Sequence, residues 1–292
     1  MSINDKVVVT CALTGVLTDP KRFNVPVFPE EMAEAAESAY NAGASIVHCH
    51  FRSQEKGMGA FPTWDVNIVA NILDAIKKRV PDIIINMSTG VVGNDISGPL
   101  ACLKAHKPDM AACNAGSLNY LKCRKDGSWA WPPLLFDNPV EKVKQFLEVM
   151  EDNNIIPEFE CFDTGIVRSV AMFKENGMFS GDPHLSFVMG VASGMPDRSE
   201  LLPILIDELP ENSYFQVIAV GQGNRSNHWK LLQRCIELGG NVRTGLEDTF
   251  YLPNGDRANE NGQLVEALVN IVRQCGKEPA TAKEARDFFG LG

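Results

Sequence analysis

Short apolar runs rich in β-branched residues recur along the chain and alternate with longer stretches that have the periodicity of amphipathic helices. Three helical stretches are clear: residues 29–42, which end at Gly43 as helices often do, residues 64–78 and residues 140–153. The apolar runs have the length of buried strands. Eight of them are predicted as strands, at residues 7–10, 45–48, 83–86, 110–113, 157–160, 185–188, 215–218 and 241–244.

This alternation predicts an α/β protein with a parallel sheet, and eight strand–helix units indicate a closed (β/α)8 TIM barrel. The length of 292 residues, 45% of them apolar, suits one barrel of about 250 residues better than two small domains. We therefore predict a single domain over residues 1–292. Residues 122–138 are predicted as a decorated loop, and the tail after Asp256 as a C-terminal helical extension whose residues 280–286 make subunit contacts.

The charge and cysteine content restrict the class of protein. The net charge of −10, without a basic block or stripe, argues against a nucleic-acid-binding protein. No signal segment opens the chain, and no apolar stretch approaches the roughly 20 residues that a membrane helix needs. Eight scattered cysteines without a C-x-x-C spacing are typical of free thiols in a reducing compartment. These features predict a cytoplasmic protein that binds neither nucleic acid nor membrane.

Two histidines close the second predicted strand, in the pentapeptide His48-Cys49-His50-Phe51-Arg52. Because side chains alternate between the faces of a strand, His48 and His50 point the same way and Cys49 points the other way. Two neutral imidazoles are good ligands for zinc or a similar ion, and a catalytic zinc site adds a third protein ligand. An isolated pair of this kind could also be two inert, hydrogen-bonded residues. The metal interpretation therefore needs a third ligand from elsewhere in the chain.

The C-terminal ends of the strands supply further candidates, since catalytic groups of a (β/α)8 barrel come from those ends. Glu247 follows the last strand on the same face as Arg243 and can complete a site of two histidines and one carboxylate. Among the other histidines, only His228, placed in the loop after the seventh strand, lies on this side; His106 and His184 fit less well. Other polar residues in these segments are Asn86, Ser88, Thr89, Asn114, Glu158, Glu160 and Asp248.

Each of these residues also has a plain structural interpretation. Glu158 and Glu160, two apart on one face, could form ion pairs with buried arginines, and we favour this interpretation for Glu158. Ser88-Thr89-Gly90 could cap the helix after the third strand. Arg243 and Asp248 could form a structural salt bridge. Their common location at one rim of the barrel favours a functional site.

These motifs resemble the β-keto acid cleavage enzymes, a family whose best-known member cleaves 3-keto-5-aminohexanoate in lysine fermentation. The resemblance runs nearly end to end, and the order and spacing of the histidine motif and the Gly-Leu-Glu-Asp motif are specific. The motifs that carry it are Thr14-Gly15, Phe28-Pro29-Glu30-Glu31, Ala42-Gly43-Ala44, His48-Cys49-His50-Phe51-Arg52, Ser88-Thr89-Gly90, Asn114-Ala115-Gly116-Ser117, Pro157-Glu158-Phe159-Glu160, Gly245-Leu246-Glu247-Asp248 and Ala280-Thr281.

The resemblance implies a (β/α)8 fold, commonly in a homotetramer, and the reaction of a β-keto acid with acetyl-CoA to give acetoacetate and a new CoA ester. It implies a zinc ion on His48, His50 and Glu247. A divalent metal suits this chemistry, because carbon–carbon cleavage or formation next to a carbonyl develops negative charge on the oxygen, which a Lewis acid stabilises.

The resemblance also places an Arg243–Asp248 pair at the reacting carbon and assigns proton removal to Arg243. A guanidinium titrates above about 12 and is a poor base. An easier hypothesis is that Arg243 clamps the enolate electrostatically while Asp248 or Glu160 moves the proton. The substrate contacts implied by the resemblance, with the rest of the Ser-Thr-Gly motif, are Ser88, Thr89, Gly90, Asn114 and Glu160.

The chain departs from the aminohexanoate enzyme at two positions. Leu17 stands where that enzyme has a glutamate, and Ala112 stands where it has a threonine. Leucine offers no partner for the substrate's ammonium group, and burying an unpaired cation costs several kcal/mol. We therefore predict that Leu17 contacts a substrate whose far end is uncharged or apolar. Asp19 could replace the missing glutamate if its loop came close.

Three other functions remain open at this stage. An amidohydrolase-type zinc hydrolase would carry His-x-His on the first strand and further histidines after the fifth and sixth strands. A lyase of the hydroxymethylglutaryl-CoA type would carry it on the seventh strand, which here reads Ile218-Ala219-Val220-Gly221. A catalytically silent metal-binding barrel would not need Arg243, Glu247 and Asp248 together.

Overall fold

The computed structural model of the protein describes residues 5–16, 18–221 and 225–292. Within these ranges eight parallel strands form a closed barrel, so the predicted fold is confirmed. The strands in chain order are β1 (Lys6–Val7), β2 (Val9–Ala12), β3 (Ile46–Cys49), β4 (Ile84–Met87), β5 (Met110–Asn114), β6 (Leu118–Tyr120), β7 (Leu134–Phe136), β8 (Ile156–Cys161), β9 (His184–Met189), β10 (Tyr214–Ala219), β11 (Asn241–Thr244) and β12 (Glu278–Pro279).

The barrel order is β2-β3-β4-β5-β8-β9-β10-β11, and β11 pairs back with β2. Helices follow most of the barrel strands and cover the outside. They are α1 (Pro29–Ala42), α2 (Val66–Arg79), α3 (Ser97–His106), α4 (Val140–Asp152), α5 (Thr164–Glu175), α6 (Leu202–Asp207) with a preceding 3-10 turn (Ser199–Leu201), α7 (Arg225–Glu237), α8 (Asn261–Gln274) and α9 (Ala282–Phe289).

All eight predicted barrel strands are present, and the first one is displaced. The prediction covered residues 7–10, whereas the barrel strand is Val9–Ala12 and Lys6–Val7 pairs in parallel with Glu278–Pro279. The reason is tertiary, because the start of the chain finds a strand partner in the C-terminal segment. Helix α1 has the predicted limits: its Glu31 carboxylate accepts the backbone N–H groups of Val27 and Phe28 at the start.

The predicted loop at residues 122–138 belongs in part to a hairpin. Strands β6 and β7 are antiparallel, and the Trp131 indole N–H donates to the backbone oxygen of Tyr120 across the hairpin. All eight cysteines are free thiols, as predicted. None of the helices in the described ranges combines the length and the apolar character needed to cross a membrane.

The bottom of the barrel is apolar and is closed by the C-terminal extension. Val8, Ile46, Ile84 and Met110 form one buried cluster, at the N-terminal ends of their strands, with Ala280 and Ala285 of the extension. The predicted extension is therefore present, and its buried face contacts the barrel itself. The subunit contacts assigned to this segment stay a prediction.

The barrel interior above this layer is polar. Side chains alternate between the two faces of a strand, so the residues two positions after Val8, Ile46 and Ile84 also face inward, and these residues are polar. Intervening residues such as Val47, Ile85 and Phe159 belong to the main apolar core between strands and helices. The buried polar residues that face this part of the interior, across more than one level, are Thr10, His48, Asn86, Glu158, Ser186, Gln216 and Arg243. A polar layer inside an otherwise apolar barrel needs its own hydrogen-bond partners or a ligand.

Candidate active site

The C-terminal end of the barrel brings His48, His50 and Glu247 together. The Nε2 atom of His50 lies 3.3 Å from Oε1 of Glu247, and Nε2 of His48 lies 3.8 Å from Oε2. One potential ligand atom of each side chain lies within 4.8 Å of the others. Among the described residues, no other three His, Cys, Asp or Glu side chains come together in this way. The arrangement fits a single ion held by two imidazoles and a carboxylate.

Two glycines allow Glu247 to reach this position. Gly245 has a φ of 144°, and a Cβ there would lie 2.2 Å from the backbone oxygen of Ala12 on the neighbouring strand. Gly15 has a φ of 48°, and a Cβ there would lie 2.8 Å from Cγ of Glu247. Both positions therefore need glycine, because a side chain would be strained and would collide with its neighbour. The Gly-Leu-Glu-Asp motif thus turns tightly across the barrel mouth.

Arg243 lies at the centre of the charged groups. Its Nε donates to Oδ2 of Asp248 at 3.0 Å and its Nη2 to Oδ1 at 2.9 Å, a bidentate pair. Nη2 also donates to Oε1 of Glu247 at 2.8 Å, and Nη1 lies 3.6 Å from Oε1 of Glu160. Arg243 is buried, so its direction is fixed by these carboxylates. It links the trio to the two other acids.

The electrostatics of His48 and Glu247 favour the protonation states that can bind a metal ion. Burial lowers the pKa of His48 well below its usual value, and the charge of Arg243 adds to this effect. Burial acts to raise the pKa of Glu247, but His50, Arg243 and His48 together hold it well below its usual range. His48 is therefore neutral and Glu247 ionised at neutral pH, which are the protonation states that bind a metal ion.

The two other acids are affected differently. Burial raises the pKa of Glu160 to about 8, and Arg243 opposes the rise. Burial raises the pKa of Asp248 to about 6, and Arg243 again opposes it. Burial lowers the pKa of Arg243, but Asp248, Glu247 and Glu160 outweigh this and raise it well above the usual value. Arg243 therefore stays a cation, which excludes it as a free base at neutral pH.

The sequence of nearly the whole chain matches one family. Residues 6–291 match the profile of the beta-keto acid cleavage enzymes. The chain belongs to this family. The resemblance drawn from the motifs is thereby confirmed, and β-keto acid cleavage is the activity of the family to which this barrel belongs.

Named enzymes match this chain over nearly its whole length, and one solved structure shares its fold. The 3-keto-5-aminohexanoate cleavage enzyme of Fusobacterium nucleatum is 32% identical over 289 residues, which is 98% of each chain. The 3-oxoadipate:acetyl-CoA acetyltransferase of Cupriavidus necator is 30% identical and covers 97% of this chain and 94% of its own. ObcA, solved as a ternary complex with a C4-CoA adduct and oxalate, superposes with a TM-score of 0.72 at 21% identity, over 91% of this chain and 67% of ObcA. The ObcA likeness supports the barrel fold.

Three of the predicted substrate-contact residues, Ser88, Gly90 and Asn114, lie close together after β4 and at the end of β5. A Cβ on Gly90 would lie 3.6 Å from Nδ2 of Asn114 and 3.9 Å from Oγ of Ser88. The Thr89 hydroxyl donates to the backbone oxygen of Ala112 at 2.5 Å, so its side chain holds two strand ends together. The proposed cap of the next helix by this motif is wrong, since α3 begins only at Ser97. Leu17 lies outside the described residues.

The ion pair favoured for Glu158 is also wrong. Its fully buried carboxylate accepts hydrogen bonds from neutral groups: Nδ2 of Asn86, the Ser186 hydroxyl, and Nε2 of Gln216 at 2.8 Å. Thr10 extends this network by donating to Oε1 of Gln216. Sequence reasoning missed Thr10, Ser186 and Gln216. Their signal was a polar residue at an inward position of an otherwise apolar strand.

Sequence reasoning also missed the role of Arg52. Its buried guanidinium donates to the Thr14 hydroxyl at 2.8 Å and to the backbone oxygens of Thr14, Thr18 and Gly59. Arg52, the last residue of the histidine pentapeptide, therefore joins the end of this motif to the chain at Thr14, Thr18 and Gly59.

The remaining histidines lie outside the trio. His184 is the first residue of β9, where its ring contacts Phe289 of α9 at the closed end of the barrel, as predicted. His106 ends α3. His228 belongs to helix α7 and not to a loop, and burial lowers its pKa to about 4. None of these three contributes a ligand atom to the described cluster.

Proposed function

We propose that the protein is a zinc-dependent enzyme that reacts a β-keto acid with acetyl-CoA to give acetoacetate and a new acyl-CoA. The observation that carries the proposal is the trio of His48, His50 and Glu247 beside the Arg243–Asp248 pair. Acetyl-CoA is proposed as the second substrate because a relative, the Cupriavidus necator protein, is a 3-oxoadipate:acetyl-CoA acetyltransferase. Family membership and site geometry thus support the same reaction class.

The residues of the trio fit a zinc ion. Nε2 of His48 and Oε2 of Glu247 are buried and have no hydrogen-bond partner among the described residues, which is costly unless a ligand satisfies them. Two imidazoles and one carboxylate form a common catalytic zinc set. Bound there, zinc would polarise the keto oxygen of the substrate and stabilise the negative charge that develops on it.

The reaction exchanges one acyl group for another. The α-carbon of the β-keto acid loses a proton and attacks the thioester carbonyl of acetyl-CoA, which forms a carbon–carbon bond and releases the CoA thiolate. The thiolate then attacks the original keto carbon, and the bond from that carbon to the α-carbon breaks. The α-carbon takes back a proton as this bond breaks, so the two-carbon acid fragment with its new acetyl group leaves as acetoacetate and the remaining acyl group leaves on CoA.

Arg243 acts as a fixed positive charge in this proposal. Asp248 binds one edge of the guanidinium group, through Nε and Nη2. The remaining nitrogen, Nη1, therefore lies on the side of Glu160. Nη1 is buried and has no hydrogen-bond partner among the described residues. A directed donor of this kind stabilises an enolate or a carboxylate more than a freely moving cation does.

Glu160 moves the proton in this proposal: its ionised form takes the proton from the α-carbon, and a pKa of about 8 lies near the working pH, so the acid can also hold the proton and return it. Both oxygens of Asp248 are committed to Arg243, whereas the carboxylate of Glu160 accepts no hydrogen bond from the described residues and its side chain is 15% exposed. A base needs a free oxygen within reach of the α-carbon. Ser88 and Asn114, on the neighbouring strand ends, are suited to contact the substrate carboxylate.

The departures at Leu17 and Ala112 support a substrate with an uncharged or apolar far end. Ala112 is buried in β5 beside its register partner Glu158, whose carboxylate is already bonded to Asn86, Ser186 and Gln216 and so is not free to pair with a cationic tail. Leu17, which lies outside the described residues, is apolar where the aminohexanoate enzyme has a glutamate. The proposed substrate class is therefore a β-keto acid with a short apolar tail.

The test is a panel of β-keto acids incubated with acetyl-CoA, with acetoacetate formation followed by a coupled assay. We expect activity with zinc-loaded protein, loss after dialysis against a chelator, and recovery when zinc is added. A chain that binds zinc and forms no acetoacetate with any member of the panel would be a silent metal-binding barrel. Activity that survives complete metal removal would reject the zinc requirement.

A further inference from the structure

His48 belongs to the candidate metal trio and is also the register partner of Asn86, which is bonded to the buried carboxylate of Glu158. Its Nε2 faces Oε2 of Glu247 at 3.8 Å, which leaves Nδ1 on the other side of the ring. Nδ1 is buried and has no hydrogen-bond partner among the described residues. Asn86 lies on the neighbouring strand, since the two residues are register partners on β3 and β4.

The orientation of the Asn86 amide is set from below. Its Nδ2 group donates to Oε2 of Glu158, and an ionised carboxylate accepts hydrogen bonds but donates none. The amide oxygen Oδ1 must then point away from Glu158. That oxygen is a buried acceptor without a partner among the described residues, on the strand next to His48.

We propose that Asn86 and Glu158 are positioning residues that keep the proton of His48 on Nδ1, so that the Nε2 lone pair is free for the metal ion. Oδ1 of Asn86 accepts the Nδ1–H group, and Glu158 prevents the amide from turning its NH2 group towards the ring. This inference rests on the proposed zinc site. It assigns a purpose to a buried carboxylate that contacts neither the trio nor the Arg243–Asp248 pair.

The rest of the layer holds Glu158 in place. Ser186 donates to its Oε1 atom, and Nε2 of Gln216 donates to the same atom at 2.8 Å. Thr10 donates to Oε1 of Gln216 at 3.2 Å and lies one bond further from Asn86. Hydrogen-bond partners of this kind, which fix the ring orientation of a ligating histidine, typically change metal affinity 10–100-fold when they are removed.

The experiment measures zinc affinity by chelator competition in the wild type and in Asn86→Ala, Glu158→Gln and Thr10→Val. We expect the first two variants to bind zinc about tenfold more weakly or worse, because the Nδ1 acceptor is lost or free to turn. Thr10→Val is the matched control, since it removes one buried hydrogen bond of the same layer without touching Asn86. Its zinc affinity should stay within about twofold of the wild type.

A spectroscopic reading separates positioning from general loosening of the core. The 15N shifts of His48 in zinc-loaded wild type should report a proton on Nδ1, and in Asn86→Ala this proton should exchange faster with water. Unchanged zinc affinity in Asn86→Ala, or equal weakening in Thr10→Val, would overturn the inference. A wild type that binds no zinc would instead reject the proposed metal site. Thermal unfolding of the metal-free variants verifies that each is folded.

Discussion

Glu158 and Glu160 lie two residues apart on one strand and face the same barrel interior, yet their surroundings differ. Glu158 is fully buried, and its partners are the neutral side chains of Asn86, Ser186 and Gln216. Glu160 lies one layer higher, is 15% exposed at its side chain and has the charge of Arg243 beside it. Both oxygens of Glu158 have donors in its own layer, whereas Nε2 of His48, Oε2 of Glu247 and Nη1 of Arg243 have no hydrogen-bond partner among the described residues.

The difference indicates where this barrel keeps its structure and where it does chemistry. A buried carboxylate whose donors are all supplied by the protein is rigid and costs little. Open atoms such as Nε2 of His48, Oε2 of Glu247 and Nη1 of Arg243 lower stability unless a ligand meets them. Depth along the strand, and not residue type, therefore decides the role of each glutamate. Four experiments test this contrast.

The largest effect is expected from removing both imidazoles of the upper layer. The variant His48→Ala/His50→Ala should lose its metal and its activity together, by about a thousandfold or more, since a metal at the reacting oxygen contributes several kcal/mol. Elemental analysis and the acetoacetate assay are the measurements. His106→Ala, at the end of α3, is the matched control and should keep both. Full metal content in the double variant would place the site elsewhere.

The second experiment tests whether the upper layer needs direction or only charge. Arg243→Lys should lose activity by about a hundredfold while it keeps its metal, because lysine cannot bind Asp248 in the bidentate fashion that aims the side chain. The measurements are kcat/KM and bound zinc. Arg79→Lys, which alters contacts with surface glutamates, serves as the control. Near-normal turnover of the Arg243 variant would mean that a positive field is sufficient.

The third experiment tests whether the residue at position 17 sets the preference for the far end of the substrate. Leu17→Glu should shift the ratio of kcat/KM values towards 3-keto-5-aminohexanoate, and away from an apolar 3-oxohexanoate-like acid, by about tenfold, the size expected for one charged hydrogen bond. Leu17→Gln is the control without a charge. A wild type that already prefers the amino substrate would reject the apolar-tail proposal and would point to Asp19.

The smallest effects compare one hydroxyl from each layer. Ser88→Ala should lower kcat/KM by about fivefold, the value of one neutral hydrogen bond. Stability should be nearly unchanged, because the one hydrogen bond that the Ser88 hydroxyl makes among the described residues is a long one from the Gly90 N–H at 3.4 Å. Thr10→Val should lower the free energy of unfolding by about 1 kcal/mol, since Oε1 of Gln216 loses a buried donor. Urea denaturation and steady-state kinetics measure the two quantities. A reversed pattern would mean that depth does not separate the two roles.

The barrel could be predicted because its signal is local. Each strand is a short apolar run and each helix an amphipathic stretch, so the alternation appears in windows of ten to fifteen residues. The pairing of Lys6–Val7 with Glu278–Pro279 could not be predicted in this way, since its partner lies at the other end of the chain. The single domain, homotetramer and cytoplasmic location stay predictions.

The sequence alone also determined the candidate trio, because the His-x-His alternation and the Gly-Leu-Glu-Asp motif each place their side chains by local geometry at the ends of β3 and β11, which are separated only by β2 in the closed barrel. Only the tertiary structure decided which side chains lie beneath the trio. Asn86, Glu158, Ser186 and Gln216 come from four different strands, and their hydrogen bonds exist only when the barrel has closed. Distant residues carry no mark of their partners in the sequence, so the pairing of Glu158 with neutral donors and not with arginine became visible only in three dimensions.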